Sequence, residues 1–162
     1  MTPHSKSLTQ IHTAVFLFGL AGLFGKLIQL PSTIIVLGRV FFAALFLILV
    51  LLGLKQSVKL KRTKDYFYLG ISGILLAIHW VTFFQSIKIA TVAVGLLSYS
   101  TFPVFTTLLA PFLLKEKIHW PDILIALITF GGVALIVPAF QIDNQITQGA
   151  LWGMISGLTF AI

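Results

Sequence analysis

The chain has 162 residues, of which 58% are hydrophobic and 9% charged, with a formal net charge of +7 and no cysteine. Soluble domains carry about 25% charged residues, so this is the composition of an integral membrane protein, and the missing cysteines exclude disulfides, thiolate metal sites and a cysteine nucleophile. The basic residues cluster between apolar stretches rather than over one soluble face, which is a membrane-topology signal and excludes a nucleic-acid partner.

The first apolar stretch, residues 11–30, follows a segment with a weak basic residue, Lys6, and no A-x-A cleavage pattern, and further spans follow it. It reads as an uncleaved first helix. Gly19, Gly22 and Gly25 thin its surface, and Ala21 with Gly25 forms a small-xxx-small pair that lets helices approach in lipid. Pro31 and Ser32 turn the chain into a second helix over 33–54. A basic loop with Lys55, Lys59, Lys61, Arg62 and Lys64 leads to a third over 66–87.

Residues 89–114 contain no Asp, Glu, Lys or Arg. As a helix rising about 1.5 Å per residue they cross a bilayer core of about 30 Å. The stretch is not plain hydrocarbon, however: Ser98, Tyr99, Ser100 and Thr101 precede Pro103, and Thr106, Thr107 and Pro111 follow. An anchor needs none of these, so this fourth helix reads as the lining of a solute pathway. A charged loop from Lys115 to Asp122 leads to a fifth helix over 123–140, where Gly131 and Gly132 are placed to pack against a neighbour and Pro138 marks the end.

The last segment, 149–162, carries Gly149, Gly153, Gly157 and Ala161 at every fourth position, a small-residue stripe down one helix face. It reads as a sixth spanning helix stopped at roughly 21 Å, leaving the Ile162 carboxylate in hydrocarbon at a cost on the order of several kcal/mol. The expectation is a fragment, or a protein whose missing half comes from elsewhere. The loops with Lys6, Lys55–Lys64, Lys115 and Lys117 lie on one side, and the positive-inside rule makes that side, with the N-terminus, cytoplasmic. After five helices a second unit begins inverted, as in inverted-repeat transporters with midplane solute sites. The fold class is thus all-α integral membrane: a five-helix repeat over 8–140 and a truncated first helix of a second repeat over 149–162.

The stretches FGLAGLFGK, LGRVFFAALFL, LLAIHWVTFFQSIKIATVAVGLLSYSTFPVFTTLLAPFLLKEKIHW and ILIALITFGGVALIV carry a family likeness, with FPVFTTLLA…KEKI the most specific. The chain resembles the EamA-like family of the drug/metabolite transporter superfamily up to the opening of the second repeat. The resemblance implies a secondary transporter of metabolites, amino acids or drugs, ordinarily built from two such repeats in ten helices. It also implies a structural acidic residue at Glu116, closing the fourth helix.

Six residues are candidates for solute binding. Lys26 and Arg39 sit at similar depth near the outer ends of helices 1 and 2. Charges inside spans are costly and often functional, so they read as a cationic vestibule for a carboxylate or other anion; the alternative is snorkelling to the interface. His79 lies near the middle of helix 3 and is the membrane-embedded side chain that titrates near neutrality. Its readings are proton coupling or solute binding, against a neutral imidazole bonded to a neighbouring helix. Trp80 can stack on a solute, with packing the favoured reading, and Gln85 and Ser86 read as the polar outer end of the helix. Pro103 lacks an N–H for the carbonyl of Tyr99, four residues back. A freed carbonyl in a membrane needs a partner or a wet cavity, so Tyr99 with Ser98 and its polar neighbours reads as a pocket.

The spacing contains no catalytic triad, metal cluster, phosphate loop or nucleotide motif, so neither an enzyme nor an ATP-driven pump is expected, and no cofactor. The leading reading is a carrier in the cell membrane, partnered by lipid, a small-molecule solute and a missing second repeat or another subunit. The alternative is a non-transporting membrane interaction protein or the relic of a disrupted transporter gene. A small proton-exchanging multidrug exporter is weakened because Asp65, Glu116, Asp122 and Asp143 all lie at span ends or in loops.

Overall fold

A computed structural model of the chain describes residues 3–56, 59–60, 62–115, 117, 119–137 and 141–162. Every described element is a helix: α1 (Pro3–Leu27), α2 (Ser32–Gly53), α3 (Thr63–Ile89), α4 (Val92–Tyr99), α5 (Phe102–Leu113), α6 (Trp120–Ile136) and α7 (Gln145–Ala161). Four stretches are long and apolar enough to cross a membrane, namely Ser5–Leu27, Ser32–Gly53, Thr63–Ile89 and Val92–Leu113. The sequence suggests five full spans; α6 has 17 described residues, about 25 Å at the helical rise, and the final residues of the expected fifth helix, with Pro138, lie outside the described residues.

The long fourth helix is in fact two. It breaks at Ser100 and Thr101, where Thr101 N donates to Ser98 O at 3.3 Å in a tightened turn and the ladder restarts with Val104 N to Thr101 O at 3.0 Å. Pro103 falls in the first turn of α5, where a missing N–H costs nothing. The hydroxyls complete the break: Thr101 Oγ1 donates to Ser98 O at 2.7 Å and Ser100 Oγ to Leu96 O at 2.8 Å. Two other starts are fixed by side chains. Asp122 Oδ2 accepts from His119 N at 2.9 Å, which moves the start of α6 upstream of residue 123. Asn144 Oδ1 accepts from Ile146 N at 2.8 Å, so α7 begins four residues before Gly149.

Helix α7 packs against α3, α4 and α5, while α1 and α2 lean on α3 and α6 on α5. Association in lipid rests on close van der Waals packing rather than on hydrophobic burial, and the small residues of α7 supply it. A Cβ on Gly149 would sit 2.4 Å from Ala90 Cβ, and one on Gly153 2.6 Å from Ser98 Cβ. Gly131 and Gly132 do otherwise: no described atom lies within 4 Å of a Cβ added at either. The packed face of α6 runs through Val133, and both glycines are exposed.

The buried core lies where α2, α3 and α4 meet, with Ile35, Val36, Phe83, Phe84 and Ile87 at its centre. The outer faces of α1 and α2 and the first half of α3 present Leu, Ile, Val and Phe to the surroundings, as helices facing acyl chains do.

Candidate functional site

The second half of α3 carries the site. From His79 to Ile87 it is largely buried, with His79, Thr82, Phe83, Phe84, Ser86 and Ile87 inside. His79 stands ten residues before Ile89, about 15 Å along the helix and so about half the depth of a hydrocarbon core. Its ring is 2% exposed as a residue and is enclosed by aromatics from three helices. Ring centroids lie at 4.9 Å for Trp80, 5.2 Å for Tyr99 and 4.8 Å for Phe160. Tyr99 in turn stacks on Phe102 at 5.2 Å and 21° across the α4–α5 break.

Arg39 joins this cluster from α2, about 10 Å along the helix from Ser32. Its guanidinium carbon lies 4.0 Å from the Trp80 ring centroid and 5.5 Å from that of Phe84. A guanidinium over an indole face gains about 0.5–2 kcal/mol, which does not neutralise it. Among the described residues it has no carboxylate partner; the ion pair found there is His119 with Asp122. Asp65, Asp122 and Asp143 all lie at helix starts or in loops.

Residues 6–137 match the EamA-like transporter family. The chain belongs to this family. It is 28% identical over 162 residues to the uncharacterized transporter YxxF of Bacillus subtilis (strain 168), covering 97% of this chain and 52% of that protein. It is 29% identical over 141 residues to the uncharacterized transporter YojE of the same organism, covering 81% and 47%. The chain thus spans about half the length of these curated relatives. No solved structure matches it. An all-helical member of the EamA-like family with several apolar spans is a multi-pass membrane protein of the transporter class.

Within this EamA-like chain, the six candidate residues separate into three places. Arg39, Trp80, His79 and Tyr99 come together through the contacts above. Ser98, one residue from Tyr99, points elsewhere: it is fully buried against Gly153 of α7, and among the described residues its hydroxyl is the buried polar side-chain atom left without a partner. Lys26 lies apart, at the adjoining ends of α1 and α3, where Nζ donates to Ile87 O at 2.9 Å, Lys88 O at 3.0 Å and Ala90 O at 2.7 Å. An ammonium has three protons, and here the last carbonyls of α3 take all three.

Sequence reasoning passed over Ser156 and Phe160, both on α7. Ser156 O lies 3.0 Å from His79 Nδ1, with Ser156 Oγ 2.9 Å from the same nitrogen and 3.0 Å from His79 O. The signal was present as the small-residue stripe of α7, since the face that packs closest is the one whose neighbours touch α3. Ser86 also serves this interface, donating to Gly149 O at 2.5 Å, and Gln85 Oε1 accepts from Ser32 Oγ at 2.8 Å. Open clefts of about 420 and 390 Å³ lie at the Lys88 end of α3, the first between Ser32, Gln85 and Trp152, the second between Lys26, Gln29 and Lys88, and neither is lined by Arg39, His79, Trp80 or Tyr99.

Proposed function

We propose that the chain is half of a secondary carrier for small metabolites, amino acids or drugs bearing a carboxylate or similar anion. The observation that carries this reading is the Arg39 guanidinium on Trp80, held within a membrane helix with no carboxylate partner among the described residues. A cation in a span is expensive unless something offsets it, and an anionic solute does so while Trp80 and Tyr99 supply aromatic faces. Lys26, grouped with Arg39 by its charge, acts in this reading as a fixed positive field at the pathway's mouth rather than as a direct ligand. Ser98, buried against α7, acts in this reading as a reserve hydroxyl behind Tyr99.

The remaining wall of the pathway belongs to a second repeat or another copy, an arrangement supported by relatives about twice as long. The basic loops support a cytoplasmic N-terminus in the cell membrane. The second reading is a non-transporting membrane interaction protein or the relic of a disrupted transporter gene.

The test is counterflow of radiolabelled amino acids and aromatic carboxylates into proteoliposomes holding the chain. Flux that Arg39→Gln lowers at least about tenfold, as loss of roughly 1.4 kcal/mol of solute interaction would give, at equal incorporation supports the carrier. Absence of flux for every compound favours the non-transporting reading, and flux indifferent to Arg39→Gln removes the anion site.

A further inference from the structure

Among the described residues the His79 ring is hydrogen-bonded on its Nδ1 side only. Nδ1 faces the Ser156 carbonyl at 3.0 Å, and a carbonyl oxygen only accepts, so Nδ1 carries a proton. The Ser156 hydroxyl has one proton, which it gives to His79 O at 3.0 Å, and it meets Nδ1–H with a lone pair. This assignment, made from the bonding pattern, leaves the ring's free lone pair on Nε2. Nε2 makes no hydrogen bond to a described residue. Nε2 is therefore the ring nitrogen without a partner among the described residues, at mid-depth in the bundle, on a residue that is 2% exposed.

The charged and titratable groups around His79 are few. Arg39 approaches from α2 and Tyr99 from α4. Helices α5 and α7 carry no charged side chain. On α3 the nearest is Lys88, about 13 Å along the helix, and on α1 Lys26 is held at the helix end. Arg39 and the His79 ring both touch Trp80, at 4.0 and 4.9 Å, so they lie within about 9 Å of each other, close to the Debye length of about 8 Å in physiological salt. An imidazolium there is repelled by a bare guanidinium, and a carboxylate seated on Arg39 cancels the repulsion.

We propose that His79 is a proton site of the carrier, exchanging on Nε2 while Ser156 keeps the Nδ1 proton in place, and that a carboxylate on Arg39 and the proton on His79 each favour the other's binding. In the step itself the Nε2 lone pair takes a proton from hydronium in the wetted pathway and leaves water; release is the reverse. Reciprocity follows from linkage: whatever factor the solute adds to proton affinity, the proton adds to solute affinity. The inference rests on the Arg39 solute reading, and Ser156 is a positioning residue that makes the site depend on both α3 and α7.

The test is ¹⁵N NMR of the full chain labelled at histidine, in lipid nanodiscs, from about pH 5 to 8, with benzoate as the carboxylate probe. The His79 signals are identified by their loss in His79→Gln or, should that variant not fold, by ring contacts to Phe160. The expected result is a protonated Nδ1 throughout and an Nε2 that titrates in this range. Benzoate should raise proton affinity by roughly fivefold or more, the lower end of ordinary coupling, and Arg39→Gln should abolish that rise. A bare Nδ1, an Nε2 that does not titrate, or a benzoate effect that survives Arg39→Gln overturns the proposal. Failure of benzoate to bind or to move the titration overturns the linkage. The titration of the solute-free chain judges the proton site separately from the flux assay that judges the carrier.

Discussion

Lys26 and Lys88 bridge the same joint from opposite sides, Lys26 onto the end of α3 and Lys88 onto the turn after α1. The Lys26 ammonium closes the C-terminal carbonyls of α3 at 2.7 to 3.0 Å, and Lys88, in the last turn of α3, donates back to Leu30 O just beyond α1. Lys26 sits where α3 leaves unsatisfied carbonyls and the negative end of its dipole, whereas Lys88 bonds a carbonyl in the turn between α1 and α2. The consequence is a clasp between α1 and α3 that needs both chains of methylenes as well as both charges.

Removing one side of that clasp is measurable. Lys26→Met keeps the aliphatic stem and deletes three charge-assisted bonds, and we expect a loss of about 1–3 kcal/mol, the range for hydrogen bonds involving a charged group, given the exposure of this end. Lys26→Arg should recover part of it. Unfolding of the purified chain in mixed micelles by SDS titration gives the number, and a Lys26→Met curve that overlies the parent would show the clasp to be decorative.

The contact between Phe84 and Gly25 sets the distance between α1 and α3. A Cβ on Gly25 would fall 2.2 and 2.3 Å from two atoms of the Phe84 ring, and Phe84 itself is 1% exposed. Gly25→Val drives the helices apart, and Phe84→Ala empties the same contact from the other side. The Phe84→Ala loss should reach about 3–5 kcal/mol as for other fully buried aromatics. If Gly25→Val unfolds at the parent's SDS fraction, the helices are not packed as described.

These contacts show how much of the molecule the sequence made legible. The apolar runs and the basic loops located α2 and α3 to within about three residues, because span length and charge placement are one-dimensional signals, whereas α1 starts at Pro3, well before the apolar run at residue 11. The spacing of Gly149, Gly153 and Gly157 announced a packing face, and the face is there. What the spacing could not state is the partner. Nothing near His79 in the chain points to Ser156, which lies 77 residues away, and nothing near Lys26 points to Ala90, 64 residues on. Charge content alone grouped Lys26 with Arg39; their separation depends on which carbonyls and rings the fold brings up. Pro103 marked the break in 89–114, but its neighbouring hydroxyls decided that the ladder closes and restarts within two residues.

The α7 stripe yields a paired comparison. Gly153→Ala places a methyl 2.6 Å from Ser98 Cβ and 3.3 Å from Gly95 O, in a contact with backbone behind it that has little room to yield. Overpacking of this kind costs about 1–3 kcal/mol. Gly131→Ala meets no described atom within 4 Å and should gain up to about 1 kcal/mol from helix propensity. Opposite signs are therefore expected in the same SDS titration. Equal effects at the two positions would remove α7 from the packed centre of the bundle.

Ser98 gives the last prediction. Its hydroxyl is fully buried and has no partner, while its own carbonyl is engaged by Thr101. An unpaired buried hydroxyl carries a desolvation penalty of about 1–3 kcal/mol, and Ser98→Ala deletes that hydroxyl while keeping the Cβ that touches α7. Stability should therefore rise, by about 1 kcal/mol. Counterflow measured on the same variant separates two reasons why the serine is tolerated. A hydroxyl reserved for a solute entering beside Tyr99 gives a more stable protein with slower flux, because the ligand that satisfies the group is then lost along with it. A hydroxyl with no such role gives the same gain in stability with flux unchanged, and removes Ser98 from the pathway. Destabilisation by Ser98→Ala would contradict the geometry outright, since it requires a hydrogen bond that the bundle, as described, does not contain.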